Sequence, residues 1–413
     1  MNSIKSLTCL VFFFLCTCSL AQTKSDEVDS VEISLLTCSP HEEIYSLYGH
    51  TALRVHDTRP GGNDMAINWG MFSFGEGGFG MLEFSFRFMF GQTDYTIAIE
   101  PFDQFCYQYR YYGSSVTEQV LKLTDEEKKK ILAGIAENYK PENRVYRYNY
   151  FYDNCTTRAI DMVLNNIMSS STEGRRLVQA DEKEENASFR DMIHSCNGHH
   201  PWAAFGVDML LGVEADQPTS KREWLFLPSH AMQDFAKMNI EGTEQGPLVK
   251  ETNVVVAPGI QTVEKEFPLT PRQTFLVLLV VTVIVTVIEA FSKKAMWGYD
   301  LILMTACGLA GIILFLMLFS EQPTVRVNLQ LLLLNPLPLF FIKRMIQRTR
   351  NKQADRQYLL WIVLIALFYV GGCWQQYAEG MTFVASSLLL RNTWCHIRQL
   401  KYTINNHKET TFE

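Results

Sequence analysis

Apolar and polar residues alternate with a period of two over Ile33–Leu36, Thr51–Val55, Ala66–Phe74 and Val116–Lys122, which predicts four strands. Elsewhere the period lengthens to that of a helix. Asp125–Tyr139 reads as a helix opened by Thr124 as N-cap, with Glu127 three residues on in the reciprocal capping position. A second helix starts near Asn154 and carries Arg158, Ile160, Asp161, Met162 and Leu164, and Ala231–Met238 reads as another. The segment from Glu241 to Pro271, rich in Gly, Pro, Thr and Val, is a linker, or an edge strand followed by one. Strands and helices mixed along residues 22–240 make that part an α+β domain.

Beyond it the alternation disappears into apolar runs: Thr274–Ala290, Tyr299–Phe319, Val325–Ile342, Gln357–Cys373 and Met381–Leu400. The first four approach the ~17 to 25 residues that a spanning helix needs. Arg391, Asn392 and His396 interrupt the fifth. The predicted division is a signal peptide at 1–21, a water-exposed domain at 22–240, a linker at 241–272, an all-α transmembrane domain of about five helices at 273–400 and a tail at 401–413. The signal reading rests on Lys5, the apolar stretch Leu7–Leu20 and small residues ending at Ala21.

Loop charges agree with this orientation. If the soluble domain is exported, Lys293 and Lys294, and then Lys343, Arg344, Arg348, Arg350, Lys352 and Arg356, fall on the cytoplasmic side, while the opposite loops carry Glu321 and Glu379 without Lys or Arg. Five spans also put Lys401 and Lys408 inside. The net charge of -7 offers no basic field for nucleic acid. Of ten cysteines, Cys38, Cys106, Cys155 and Cys196 remain in the exported part. Export permits a disulfide such as Cys106 with Cys196. No cysteine spacing suits zinc, and no metal or other cofactor is expected.

Two segments carry candidate chemistry. In Tyr45-Ser46-Leu47-Tyr48-Gly49-His50-Thr51-Ala52-Leu53-Arg54-Val55 a histidine follows a glycine turn at the mouth of an apolar strand. A strand-capping histidine bonded to backbone is the competing reading. In Tyr148-Asn149-Tyr150-Phe151-Tyr152-Asp153-Asn154-Cys155-Thr156-Thr157-Arg158 a cysteine opens a helix, where the macrodipole favours thiolate over thiol. A buried structural thiol is the alternative, though Asp153, Asn154, Thr156 and Arg158 line an inert one poorly. A Cys–His pair needs a third group to fix the imidazole tautomer. Asn68, in Ile67-Asn68-Trp69-Gly70, is the candidate for that role, with a strand-pairing role as its alternative. Tyr48, Asp153, Asn154, Thr156 and Arg158 are candidate supporting or substrate-binding residues.

These two segments, with Asn68-Trp69-Gly70 between them, resemble the Lnb-type lipoprotein N-acyltransferases of Bacteroides-like bacteria. The resemblance continues through Ser188-Phe189-Arg190, Trp202, Phe205-Gly206-Val207-Asp208, Leu211-Gly212 and Phe226-Leu227-Pro228 to Asn335-Pro336-Leu337, and departs at His41, where glycine is expected after Pro40. The order His, polar residue, Cys is also similar to the permuted papain-like arrangement of NlpC and lecithin retinol acyltransferase relatives. The resemblance implies a multi-pass protein of the bacterial inner membrane with its N-terminal domain in the periplasm. It implies Cys155 as nucleophile and His50 as base. The implied reaction moves a fatty acyl group from a membrane phospholipid to the α-amino group of a diacylated lipoprotein. Asn328, Asn335 and Arg391, polar residues in apolar segments, then line a headgroup path or pack helices, and Pro336 and Pro338 break the third span. Two other classes stay open: a membrane-anchored periplasmic cysteine peptidase or amidase acting on cell-wall peptides, and a non-catalytic envelope scaffold.

Overall fold

The computed structural model describes residues 30–41, 46–73, 80–168, 176–179, 186–242, 245–261 and 267–411, with side chains to 401. The expected signal segment, Tyr45 and Phe74 lie outside the described residues. The four expected strands are present as β1 (Val31–Cys38), β2 (His50–Asp57), β3 (Asp64–Met71) and β5 (Val116–Leu121), joined by β4 (Asp94–Pro101), β6 (Val145–Arg147) and β7 (Val249–Val256). They form one antiparallel sheet in the order β7-β5-β1-β2-β3-β4-β6. Of the two readings of the region after Glu241, the edge strand is the one formed, so 241–272 is not linker throughout: Val249–Val256 closes one edge of the sheet before the chain leaves for the membrane domain.

Helices cover both faces. Alternation on β1 sends Ile33 and Leu35 to one side and Leu36 and Cys38 to the other. The first side packs α3 (Asp125–Tyr139) and α4 (Cys155–Met168), through Ile131, Ile135, Ala159, Ile160 and Val163. The second takes α2 (Phe102–Tyr112), through Phe102, Phe105 and Cys106. A further helix, α1 (Gly80–Met89), precedes β4. The expected capping box is formed: Thr124 and Glu127 bond each other's backbone N–H at 3.3 and 2.8 Å. After α4 come α5 (Phe189–Asn197), α6 (Pro201–Leu210) and α7 (Pro228–Lys237), the last starting three residues before the predicted Ala231 because Pro228 suits a first helical turn. The four exported cysteines are free thiols, so the Cys106–Cys196 pair does not form.

The helical half comprises α8 (Pro271–Ser292), α9 (Trp297–Met317), α10 (Leu337–Arg350), α11 (Gln357–Gly371) and α12 (Met381–Thr411). Pro271–Ser292, Trp297–Met317 and the interrupted stretch Pro323–Arg350 are long and apolar enough to cross a membrane. The third expected span is not one continuous helix. It is a short helical turn, a 3-10 turn at Leu329–Leu332 and then α10, broken where Pro336 cannot donate. The fifth segment, interrupted in sequence by Arg391, Asn392 and His396, is a continuous helix. Its Arg391 is neutralised by Asp300 on α9 at 2.7 Å and Glu289 on α8 at 2.7 Å, and Arg398 also pairs with Glu289.

The two halves are bonded to each other at the loop after α6. Asn328 donates to Met209 O at 2.9 Å, Gln330 to Asp208 O at 2.9 Å and Gln375 to Leu211 O at 3.0 Å. Backbone N–H groups of Gly212 and Val213 donate to Thr324 O and Val327 O at 2.8 and 2.9 Å. Only glycine fits at 212, since a Cβ there would stand 2.1 Å from Val327 O. Arg190, fully buried, holds this loop through Asp208 at 2.7 Å and Asp216 at 2.8 Å.

Candidate active site

The site grows from two backbone features. Gly49 has a φ of +75°, and a Cβ there would meet Cys38 O at 2.6 Å, so this turn requires glycine and delivers His50 as the first residue of β2. Register then aligns its partners. Ala52 faces Asn68, and Asn68 faces Ala98, which puts His50, Asn68 and Glu100 on one face of the sheet. A bulge follows at Asn68 to Met71, with Gly70 at φ +84°. A Cβ on Gly70 would sit 3.2 Å from the Cys155 Cβ, so the missing side chain is the space through which the thiol approaches.

Cys155 is the first residue of α4, and Asn154 is its cap. The Asn154 carboxamide oxygen accepts from the Thr157 N–H at 2.9 Å, and the Thr157 hydroxyl accepts from the Asn154 N–H at 2.8 Å. The Asn154 amide nitrogen donates to Tyr150 O and Phe226 O at 2.8 and 3.0 Å. All its polar atoms are used, so it supports the thiol and has nothing left for a ligand. Thr156 is fully buried and anchors the helix start to β2 through the Thr51 hydroxyl at 3.1 Å.

A line of hydrogen bonds leads away from the thiol. Asn68 donates through Nδ2 to Glu100 Oε1 at 2.7 Å, which turns its Oδ1 toward His50 Nε2 at 3.0 Å. Nε2 therefore carries the proton, and Nδ1 remains for the half-buried Cys155. Burial alone raises a thiol. Here the charge of His50 and a hydrogen bond to it, with the Thr51 N–H and the Thr156 hydroxyl, overcome burial and bring Cys155 down to about 7. Burial likewise opposes the His50 cation, but the Cys155 charge and hydrogen bond, then Asn68 and Glu100, leave it raised. Glu100 is raised by burial, against the pull of His50 and Asn68. The pair is set for thiolate and imidazolium.

Around it stands an aromatic wall. Tyr95 and Tyr148 stack at 4.0 Å, and burial followed by the charge at Cys155 raises the phenols of Tyr95, Tyr146 and Tyr148. Tyr48 accepts from Asn197 Nδ2 at 3.0 Å, lies edge-on to Tyr150 at 5.2 Å, and is pushed up to about 12 chiefly by burial. These hydroxyls are neutral at ordinary pH.

The other predicted residues lie elsewhere or are engaged. Asp153 and Arg158 pair with each other at 2.6 and 2.7 Å, and the guanidinium covers the Tyr146 ring at 3.5 Å. Asn328 belongs to the junction between the halves. The Asn335 carboxamide oxygen accepts from the Leu337 N–H at 3.2 Å at the start of α10. None of the hydrogen bonds of Asn328 or Asn335 reaches the Cys155 cluster. Sequence reasoning missed Glu100 and Thr51. Glu100 carries no local signal: it alternates with the core positions Tyr95, Ile97 and Ile99 as an ordinary polar strand residue would, and only the β3–β4 pairing brings it to Asn68. Among the described residues no group of three His, Cys, Asp or Glu side chains could hold a metal ion.

Fold and site together define a class: a membrane protein whose sheet-rich domain carries a thiol–imidazole–carboxamide line and is bonded to a helical half built for lipid. Two family models match the chain, the Lnb N-terminal periplasmic domain over residues 20–179 and the Lnb transmembrane domain over residues 262–403. The chain is therefore an Lnb-type protein, a membrane protein of the lipoprotein-processing type with a periplasmic N-terminal domain. No curated protein and no solved structure matches it.

Proposed function

We propose that the protein is a lipoprotein N-acyltransferase of the bacterial inner membrane, working through a thioester on Cys155. In the first half-reaction the Cys155 thiolate attacks the ester carbonyl of a phospholipid. The ester C–O bond breaks, and the lysophospholipid leaves with the proton held by His50. In the second, the α-amino nitrogen of a diacylglyceryl-cysteine lipoprotein attacks the thioester, gives a proton to His50, and the C–S bond breaks to return the thiolate. Asn68 is the positioning residue, and Glu100 fixes the orientation of Asn68. First-turn amides have no intrahelical acceptor, so the N–H groups of Cys155 and Thr156 would serve the oxyanion.

One observation carries the reading: a thiol brought down to about 7 by His50 stands beside neutral aromatic side chains. Such a wall suits an alkyl chain. The Arg158 guanidinium on the Tyr146 ring is neutralised by Asp153, so the wall offers no net charge to a cell-wall peptide. The test is mass spectrometry of lipoprotein N-termini from cells with the intact protein, without it, and with Cys155→Ala. Triacylated termini should be lost in the last two. Their persistence in both, in cells with no second N-acylating enzyme, would contradict the proposal.

A further inference from the structure

Helix α1 has three faces of different chemistry. At 100° per residue, Phe84 and Phe88 fall on one arc, Glu83 and Arg87 on a second, and Met81, Leu82, Ser85 and Phe86 on a third. The first arc joins the site. Phe84 stacks on Phe72 at 4.8 Å and lies 6.1 Å from Tyr95, while Phe88 lies 6.0 Å from Tyr148 and 6.5 Å from Tyr150. The second arc is self-paired, with Arg87 and Glu83 3.8 Å apart. The third is bare: Met81 is 61% exposed, Leu82 65% and Phe86 46%, and no residue of α1 is buried. Ser85 hides its hydroxyl by donating to Met81 O at 2.8 Å. A water-facing helix has no reason to present this surface.

The position of α1 says what covers it. Its C-terminal end is bonded to the chain leaving the span Trp297–Met317. Ser320 donates to Met89 O at 2.8 Å, and the Glu321 N–H donates to Phe90 O at 2.9 Å. Glu321 also takes Arg147 at 3.3 Å. Leu318 and Phe319, 36% and 66% exposed, continue the apolar surface of that span up to this contact. The bare arc therefore begins at the height where the membrane helix ends, on the side of the periplasmic domain.

We propose that α1 lies in the periplasmic leaflet as an interfacial helix. Met81, Leu82 and Phe86 sit among the acyl chains, and Phe84 and Phe88 extend that apolar surface to the aromatic wall around Cys155. Lipid is the occupant, because the arc is continuous with a surface that already faces lipid. Resting on the acyltransfer reading, the same helix is the route by which a donor acyl chain reaches the thiol without crossing water.

Photo-crosslinking of the full-length protein in nanodiscs of phosphatidylethanolamine and phosphatidylglycerol tests this. The background is Cys155→Ala, so that turnover plays no part. With p-benzoylphenylalanine replacing Leu82 or Phe86, phospholipid adducts should exceed those at the exposed control Lys129 by about tenfold. Adducts no more frequent than at Lys129, or crosslinks to a second copy of the chain instead, would overturn the proposal. In protein retaining Cys155, the double variant Leu82→Glu/Phe86→Glu should acylate Cys155 from bilayer phospholipid about tenfold more slowly. If the unaltered protein never carries an acyl group on Cys155, the acyltransfer reading fails, and the crosslinks still decide where α1 lies.

Discussion

Two of the buried polar clusters, one in each half of the protein, differ in how their last member is bonded. In the membrane half, Arg391 meets Asp300, Glu289 and Thr286, the last at 3.1 Å, and Arg398 takes the other oxygen of Glu289. Charges cancel and the cluster is closed. In the periplasmic half, Glu100, Asn68 and His50 form a line that ends on a half-buried thiol. The closed cluster lets a charged helix live in an apolar surrounding. The open one concentrates its polarity on a single reactive atom. A buried charge is thus weak evidence for chemistry; an unfilled end of a hydrogen-bonded line is stronger.

The contrast breaks most sharply by exchanging the effects of two substitutions. Cys155→Ala should remove about 10⁴-fold or more of the acyl-transfer rate with near-wild-type folding, as loss of a nucleophile does. Arg391→Ala should act the other way, costing about 3–5 kcal/mol of stability by leaving the buried Asp300 without its cation and Glu289 with Arg398 alone. Activity assays and denaturation of the two purified variants check this, and similar profiles would dissolve the distinction. Gly70→Ala comes next: a side chain against Cys155, at a positive φ, should cut turnover by about 100-fold. Its Km for donor lipid should move far less than kcat.

The pH profile sharpens the comparison without breaking it. Cys155 is a thiolate above about 7 and a thiol below it, so alkylation by iodoacetamide should rise through that pH. In His50→Ala the largest lowering influence is gone, and the midpoint should climb toward the ordinary 9.0. An unmoved midpoint would mean that His50 does not hold the thiol down. The smallest effect belongs to Arg158→Ala. Its partly exposed pair with Asp153 and its contact with Tyr146 should be worth about 1 kcal/mol in thermal unfolding.

Much of this was legible in the sequence. The strands at β1, β2, β3 and β5, the capped helix α3 and the cysteine-led helix α4 follow local rules of period and capping, and each forms near where those rules put it, although β3 ends at Met71, short of the expected stretch to Phe74. Asn68 was legible as the polar residue of the strand segment Ile67-Asn68-Trp69-Gly70, while the bulge beside it was not. Glu100 was missed because its meaning depends on the β3–β4 register, which no local pattern encodes. The role of β7 was left open because an edge strand of Thr, Asn and Val facing water reads like a linker. Asn328 looked like a site in the membrane because its partners, Met209 and Gln375, are far away in sequence. The interruptions at Arg391 and Pro336 needed their neighbours in space to be understood: one is neutralised inside a continuous helix, the other ends a turn.

The central claim is that Cys155 accepts an acyl group. Purified full-length protein should be mixed with phosphatidylethanolamine vesicles in the absence of lipoprotein, digested, and the peptide containing Cys155 weighed by mass spectrometry. A peptide heavier by one fatty acyl group, restored to its unmodified mass by hydroxylamine and absent from His50→Ala, is the predicted result. An unmodified Cys155 peptide accompanied by normal N-acylation of added lipoprotein would contradict the account.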